Sequence, residues 1–85
     1  MDDENLRRQL TEMVAELDED GTLALVRCRL DSGEDPLTIV ADCQQGMTLV
    51  GQRYERREYF LCGLIMAGEI FREVMELVQP SMKET

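Results

Sequence analysis

An all-α fold, a four-helix antiparallel bundle, is what this sequence predicts, and three observations predict it. Four segments carry apolar residues at spacings of three and four, the repeat that lines one face of a helix. No stretch alternates apolar and polar residues as a half-buried strand requires. The chain holds two Tyr, two Phe and no Trp, so its core must come from Leu, Ile, Val, Met and Ala. At 85 residues with 44% apolar content, a single ordered domain spanning residues 1–85 is expected, with modest stability.

The first helix is expected over about residues 4–17, with Leu6, Leu10, Met13 and Leu17 along one face. Asp2 or Asp3 is placed to cap its start and to favour the positive end of the helix dipole. The second is expected over 19–31, capped by Asp18, with Leu23, Val26 and Leu30 as its stripe. Ser32-Gly33 supplies the left-handed stop that a helix end favours. The third, over 36–56, starts at Asp35-Pro36, a capping carboxylate followed by a proline whose missing N–H costs nothing there. Val40, Cys43, Met47, Val50 and Tyr54 form its face. Gly46 and Gly51 fall inside it, each costing about 1 kcal/mol relative to Ala; they point either to close helix packing or to a kink. The fourth, over 60–79, aligns Leu61, Leu64, Gly68, Phe71, Met75 and Val78, with Ile65 alongside. Pro80 is expected to end it, because the residue before a proline disfavours helical geometry.

The net charge of −9 would be repelled by phosphate backbones and anionic membranes, so nucleic acid and membrane are excluded as partners. No apolar run approaches the roughly 20 residues of a membrane span. Met1-Asp2-Asp3-Glu4 is the opposite of a basic signal leader, and a cytoplasmic location is expected. Cys28, Cys43 and Cys62 are widely spaced in a chain without His. Neither a zinc site nor a disulfide framework fits them, and they read as small apolar residues on helices.

Without His, the commonest general base and the triads built on it are missing, as are the Glu-x-x-His pairs of di-iron bundles. There is no Gly-rich phosphate loop. The carboxylates gather at helix starts and polar faces, where capping and solvation account for nearly all of them. No catalytic residue is nominated. The most unusual stretch is Gly51-Gln52-Arg53-Tyr54-Glu55-Arg56-Arg57-Glu58-Tyr59-Phe60-Leu61, with three of the four aromatic residues and three Arg. On one reading the arginines pair with nearby glutamates and the aromatics close the bundle end. On the other, the aromatics form a surface that covers a flat ligand or a partner.

A resemblance bears on that choice. Gly33-Glu34-Asp35-Pro36-Leu37-Thr38-Ile39-Val40 resembles the A-G-x-D-P-L-x-I-I of corrinoid proteins. Gly46-Met47-Thr48-Leu49-Val50-Gly51-Gln52-Arg53-Tyr54-Glu55 is similar to their G-M-x-x-V-G-x-x-[FYW]-E, and Glu58-Tyr59-Phe60-Leu61 to E-Y-F-L-P. Leu64, Ala67, Met75 and Pro80 continue the likeness along the fourth helix, and order and spacing agree over residues 30–80. The chain thus resembles the helical cap domain of cobalamin-binding methyltransferases and methyltransferase corrinoid proteins. It departs from the family at Cys62, where the family has Pro, and at Arg56-Arg57, where the family often has a Gly-containing turn.

The resemblance implies a non-catalytic cap over the upper face of cobalamin, shielding the methyl–cobalt bond. Tyr54, Leu61 and Leu64 are the cofactor-contacting positions that it implies. Cobalamin is expected only together with a separate Rossmann-like corrinoid-binding domain, which this chain lacks; the family's lower cobalt ligand is a His of that domain. The implied partners are that domain or a methyltransferase subunit. The competing expectation is a standalone interaction module that keeps the fold without the cofactor and hides the same wall in a homodimer.

Overall fold

The computed structural model of the chain describes residues 3–82, with side chains from Glu4 onward. Four helices and no strands are present among the described residues: α1 (Asp3–Ala15), α2 (Glu19–Asp31), α3 (Pro36–Glu55) and α4 (Leu61–Met82). The all-α class follows. Asp18 caps α2 by accepting from the Gly21 N–H at 3.0 Å. Asp35 caps α3 by accepting from the Leu37 N–H at 3.0 Å, with Pro36 in the first turn. Of the caps expected for α1, Asp2 lies outside the described residues, as does the Asp3 side chain.

The first three helices end in one way. In each, the N–H of a left-handed residue and that of the next residue bond back to carbonyls of the final turn. Leu17 and Asp18 bond to Val14 and Met13, Gly33 and Glu34 to Leu30 and Arg29, Arg57 and Glu58 to Tyr54 and Arg53. The left-handed residues are Leu17 (φ 61°), Gly33 (φ 87°) and Arg57 (φ 65°). Ser32-Gly33 therefore stops α2 as its sequence suggests. The stop at Leu17 ends α1 at Ala15, two residues before the end expected from its stripe. Pro80 does not end α4, which runs on to Met82. A proline φ suits a helix, and in the last turn the missing N–H forfeits a single bond.

Packing shifts the most buried face of three helices from the one expected, although Leu23, Leu30, Val40, Met47 and Phe71 of the expected stripes still pack against the core. In α4 the inward stripe is Gly63, Ala67, Ile70, Val74 and Val78, one residue out of phase with the predicted one except at Val78. The first half of α4 is apolar nearly all round, so periodicity alone does not choose its inner side. The side with Gly63 and Ala67 faces inward. In α3 the buried set is Ile39, Asp42, Cys43, Gly46 and Val50, while Tyr54 points outward. In α2 it is Thr22, Val26 and Arg29, with Leu23 and Leu30 half-buried. Leu10, Val14, Val26, Ile39, Cys43, Ile70, Val74 and Val78 form the central core.

Gly46 resolves one of the two glycine questions. A Cβ there would lie 2.6 Å from Val14 Cβ and 2.8 Å from the Thr11 carbonyl oxygen, so glycine is what lets α3 lie against α1. Gly51 has open space around it. The pairs Arg7–Asp42, Val14–Gly46 and Ala15–Arg53 advance together along the two helices, so α1 and α3 run side by side in the same direction.

Asp42 is an exception to the expected placement of carboxylates at helix starts and on polar faces. It is 4% exposed and meets Arg29, which is 1% exposed, at 2.9 Å. The other side of the Arg29 guanidinium donates to Glu34 Oε1 at 2.8 and 3.0 Å, and Arg7 Nε donates to the second Asp42 oxygen at 3.0 Å. Thr11 Oγ1 donates to the Asp42 carbonyl at 3.1 Å. Burial pulls the Arg29 pKa down, but the hydrogen bonds to Glu34 and Asp42 outweigh it and leave it raised. The network joins α1, α2, α3 and the α2–α3 loop. Asp42→Ala would strip Arg29 of its buried partner, and an uncompensated buried charge is expensive. Urea denaturation is expected to show a loss of about 3 kcal/mol.

A second acidic residue sits against its own kind. Glu73 of α4 faces Glu19 at the start of α2; their hydrogen bond, then burial, then repulsion from Glu19 and Glu69 raise the Glu73 pKa against the opposing pull of Arg72. The folded chain thus holds the Glu73 proton more tightly than the unfolded chain does. Its stabilising effect is complete below the ordinary value of 4.5 and is lost as pH rises through the higher folded value. Glu73→Gln is expected to raise the thermal midpoint at about pH 7 and to lose that advantage near pH 4, measured by circular dichroism.

Candidate functional site

The corner between α3 and α4 is built from the Arg- and aromatic-rich stretch, and its side chains divide by role. Tyr59 and Arg53 look inward. The Tyr59 hydroxyl donates to the Ala15 carbonyl at 2.7 Å, and Arg53 donates to the same carbonyl at 2.9 Å and to the Tyr59 oxygen at 3.0 Å. Together they satisfy the last carbonyl of α1, which the helix itself leaves open. Arg53 also pairs with Glu16 at 3.1 Å and lies 5.6 Å from the Tyr59 ring centre. The hydrogen bond with Tyr59 is the main cause of its raised pKa, with Glu16 adding to it. One Tyr and one Arg therefore close the bundle end.

Tyr54 and Phe60 look outward. Tyr54 is 42% exposed, Phe60 77% and Leu61 61%. They line an open cleft of about 430 Å³ whose remaining walls are Glu55, Arg57 and Tyr59. A cleft of that volume lies within the range of small-molecule sites, though this one is shallow and open to solvent. The structure thus brings Tyr54 and Leu61 into one cleft. Leu64, half-buried, follows three residues later on α4, outside the cleft lining.

Beyond the cleft the apolar surface continues along α4 through Ile65 and Met66, 65% and 47% exposed. Phe60, Ile65 and Met66 were not among the expected contacts. For Ile65 and Met66 the signal was the run Leu61-Cys62-Gly63-Leu64-Ile65-Met66-Ala67, apolar on every side of a helix that can bury only one. Arg57 is the other unforeseen member of the cleft, and its position depends on the left-handed turn that periodicity does not disclose.

The thiols differ from one another. Cys43 is buried in the core, where desolvation, reinforced by Asp42 and opposed by Arg29, pushes its pKa up to about 12. Such a thiol stays protonated and inert. Cys28 and Cys62 are exposed rather than packed as small apolar groups, because each lies on the outer side of its helix. Among the described residues no group of three Cys, Asp or Glu is placed to hold a metal, and no helix is long and apolar enough to cross a membrane.

Tyr54, Phe60 and Leu61 thus form an exposed apolar wall with Glu55 and Arg57 at its rim. The chain has no His, so these residues offer no imidazole to a metal. Leu61→Ala removes an exposed side chain and is expected to change the urea-unfolding free energy by no more than about 0.5 kcal/mol.

A family model described as the B12 binding domain matches residues 6–79. Monomethylamine corrinoid proteins 1 and 2 of Methanosarcina mazei are each 31% identical over 78 residues, covering 91% of this chain and 36% of theirs. Monomethylamine corrinoid protein 1 of Methanosarcina acetivorans is 28% identical over the same coverage. The chain therefore spans about a third of the length of the curated relatives it matches. No solved structure matches it significantly.

Proposed function

This chain belongs to the B12 binding domain family, and we propose that it serves there as the helical cap over the upper face of a cobalamin held by a separate Rossmann-like domain. The carrying observation is the exposed apolar wall of Tyr54, Phe60 and Leu61 at one end of an otherwise well-packed bundle. A wall of this kind left in water is unfavourable, and contiguous exposed apolar surface marks an interaction site. Laid on the corrin, it would bury the side chains and remove water from above the metal at once.

When bound, the cofactor supplies a methyl group on cobalt, and this chain's residues do the rest by exclusion. Tyr54, Leu61 and Leu64 cover the upper face, Leu64 from a half-buried position next along α4. They contribute no acid, base or nucleophile, and the cap performs no chemistry by itself. The Arg53–Tyr59–Ala15 bonds hold the α3–α4 corner so that the wall is presented as a rigid surface. The partners on this reading are the corrinoid-binding domain and, when the cap is displaced, the methyltransferase subunit that delivers or receives the methyl group.

The test uses Methanosarcina mazei monomethylamine corrinoid protein 1 from which the segment matching this chain has been removed, loaded with hydroxocobalamin. Titrating the chain into it is expected to shift the corrin absorption bands. Tyr54→Ala and Leu61→Ala should each weaken that association about tenfold. Absence of any association overturns the cap reading. A homodimer by light scattering that buries Ile65 and Met66 and excludes the corrinoid protein would favour the interaction-module reading instead.

A further inference from the structure

Arg57 occupies a left-handed backbone position that glycine would favour; the turn satisfies carbonyls of α3, but the Arg57 side chain gains no buried contact from it. The left-handed turn that ends α1, α2 and α3 favours glycine, because a Cβ crowds the following carbonyl. At Gly33 there is no penalty. At Leu17 the side chain is half-buried and packs against the core. At Arg57, with φ at 65°, the side chain is exposed and no core contact compensates. Non-glycine residues held in such conformations concentrate at ligand sites.

The Arg57 side chain lines the cleft beside Tyr54, Phe60 and Leu61. Eighteen acidic residues are available in the chain, yet Arg57 forms no ion pair among the described residues, whereas Arg53 is bound to Glu16, Tyr59 and the Ala15 carbonyl. The cleft therefore presents an apolar wall edged by the Glu55 carboxylate, an acceptor, and by the Arg57 guanidinium with its five N–H donors. A corrin has the complementary distribution: apolar faces and a periphery of carboxamide side chains whose oxygens accept hydrogen bonds.

We propose that Arg57 is a ligand-recognition residue, donating to a carboxamide oxygen at the edge of the corrin whose face rests on the Tyr54–Leu61 wall. This rests on the cap reading above. It also gives the chain a polar contact that fixes the rotation of the macrocycle under the cap, which an apolar wall alone leaves open.

The turn supplies a test that separates recognition from folding. Arg57→Gly relieves the backbone, so its urea midpoint should equal or exceed that of the wild type. Arg57→Asn tolerates the left-handed backbone without the charge, and Arg57→Lys keeps the charge. Each is titrated into the truncated monomethylamine corrinoid protein loaded with hydroxocobalamin, and into the same protein without cobalamin. The Gly and Asn variants are expected to bind the loaded form about tenfold more weakly than wild type, with Lys between them and wild type. If Gly and Asn bind like wild type while Tyr54→Ala is impaired, Arg57 has no recognition role and the cap reading stands. An equal loss on the cobalamin-free protein means that the guanidinium meets a protein carboxylate, which overturns the corrin contact. A wild-type chain that binds neither form removes both readings.

Discussion

The Arg29 guanidinium, enclosed in the bundle and held between Asp42 and Glu34, is the constraint on which the helix arrangement depends. A charge at such depth is tolerated only with its partners in place. Glu34 lies just past the end of α2, and Asp42 lies two turns into α3. Satisfying both fixes where the α2–α3 loop turns and how α3 is rotated about its own axis. Arg7 and Thr11 then tie α1 to the same aspartate. The pair is weak as a source of net stability, since desolvation offsets its attraction, but it selects one orientation of three helices among several an apolar core would accept.

That orientation has consequences at the other end of α3. Once Asp42 is inside, Gly46 one turn later faces α1 and permits the close approach at Val14. A further turn places Val50 in the core, and Tyr54 falls on the outer side. Arg53, beside it, reaches the end of α1 instead. The exposed tyrosine is thus a product of the same rotation that buries the aspartate. On α4 the parallel event is the choice of Gly63 and Ala67 as the inner stripe, which leaves Leu61 and Ile65 in solvent. Two helices that each turn an apolar residue outward meet at one corner, and the cleft lies between them.

The residues proposed to meet the cofactor were legible to different degrees for this reason. Tyr54 and Leu61 came from the family likeness, and each was also placed in an apolar helical stripe. The structure puts both outside those stripes' buried faces. The stripe of Leu61, Leu64 and Gly68 is a real feature of α4, but it faces outward or sideways rather than into the core. Arg57 carried no periodic signal, because its position depends on a single positive φ. The clustering of Arg53, Arg56 and Arg57 with the aromatics was visible; the separation of Arg53 and Tyr59 as closing residues from Tyr54 and Phe60 as surface residues was not.

What the sequence by itself determined was local. Helical periods, the Asp18 and Asp35 caps, Pro36 at a helix start and Gly33 at a helix stop act within one turn of chain, and their energies do not depend on distant residues. Tertiary structure decided which side of each helix faces inward, that Asp42 and Arg29 share the interior, and that α1 stops at Ala15. Those outcomes turn on contacts between residues distant in the chain, such as Val14 with Gly46 and Arg7 with Asp42. Where a helix is apolar on more than one side, periodicity gives several equivalent faces, and only the space available between neighbouring helices distinguishes them.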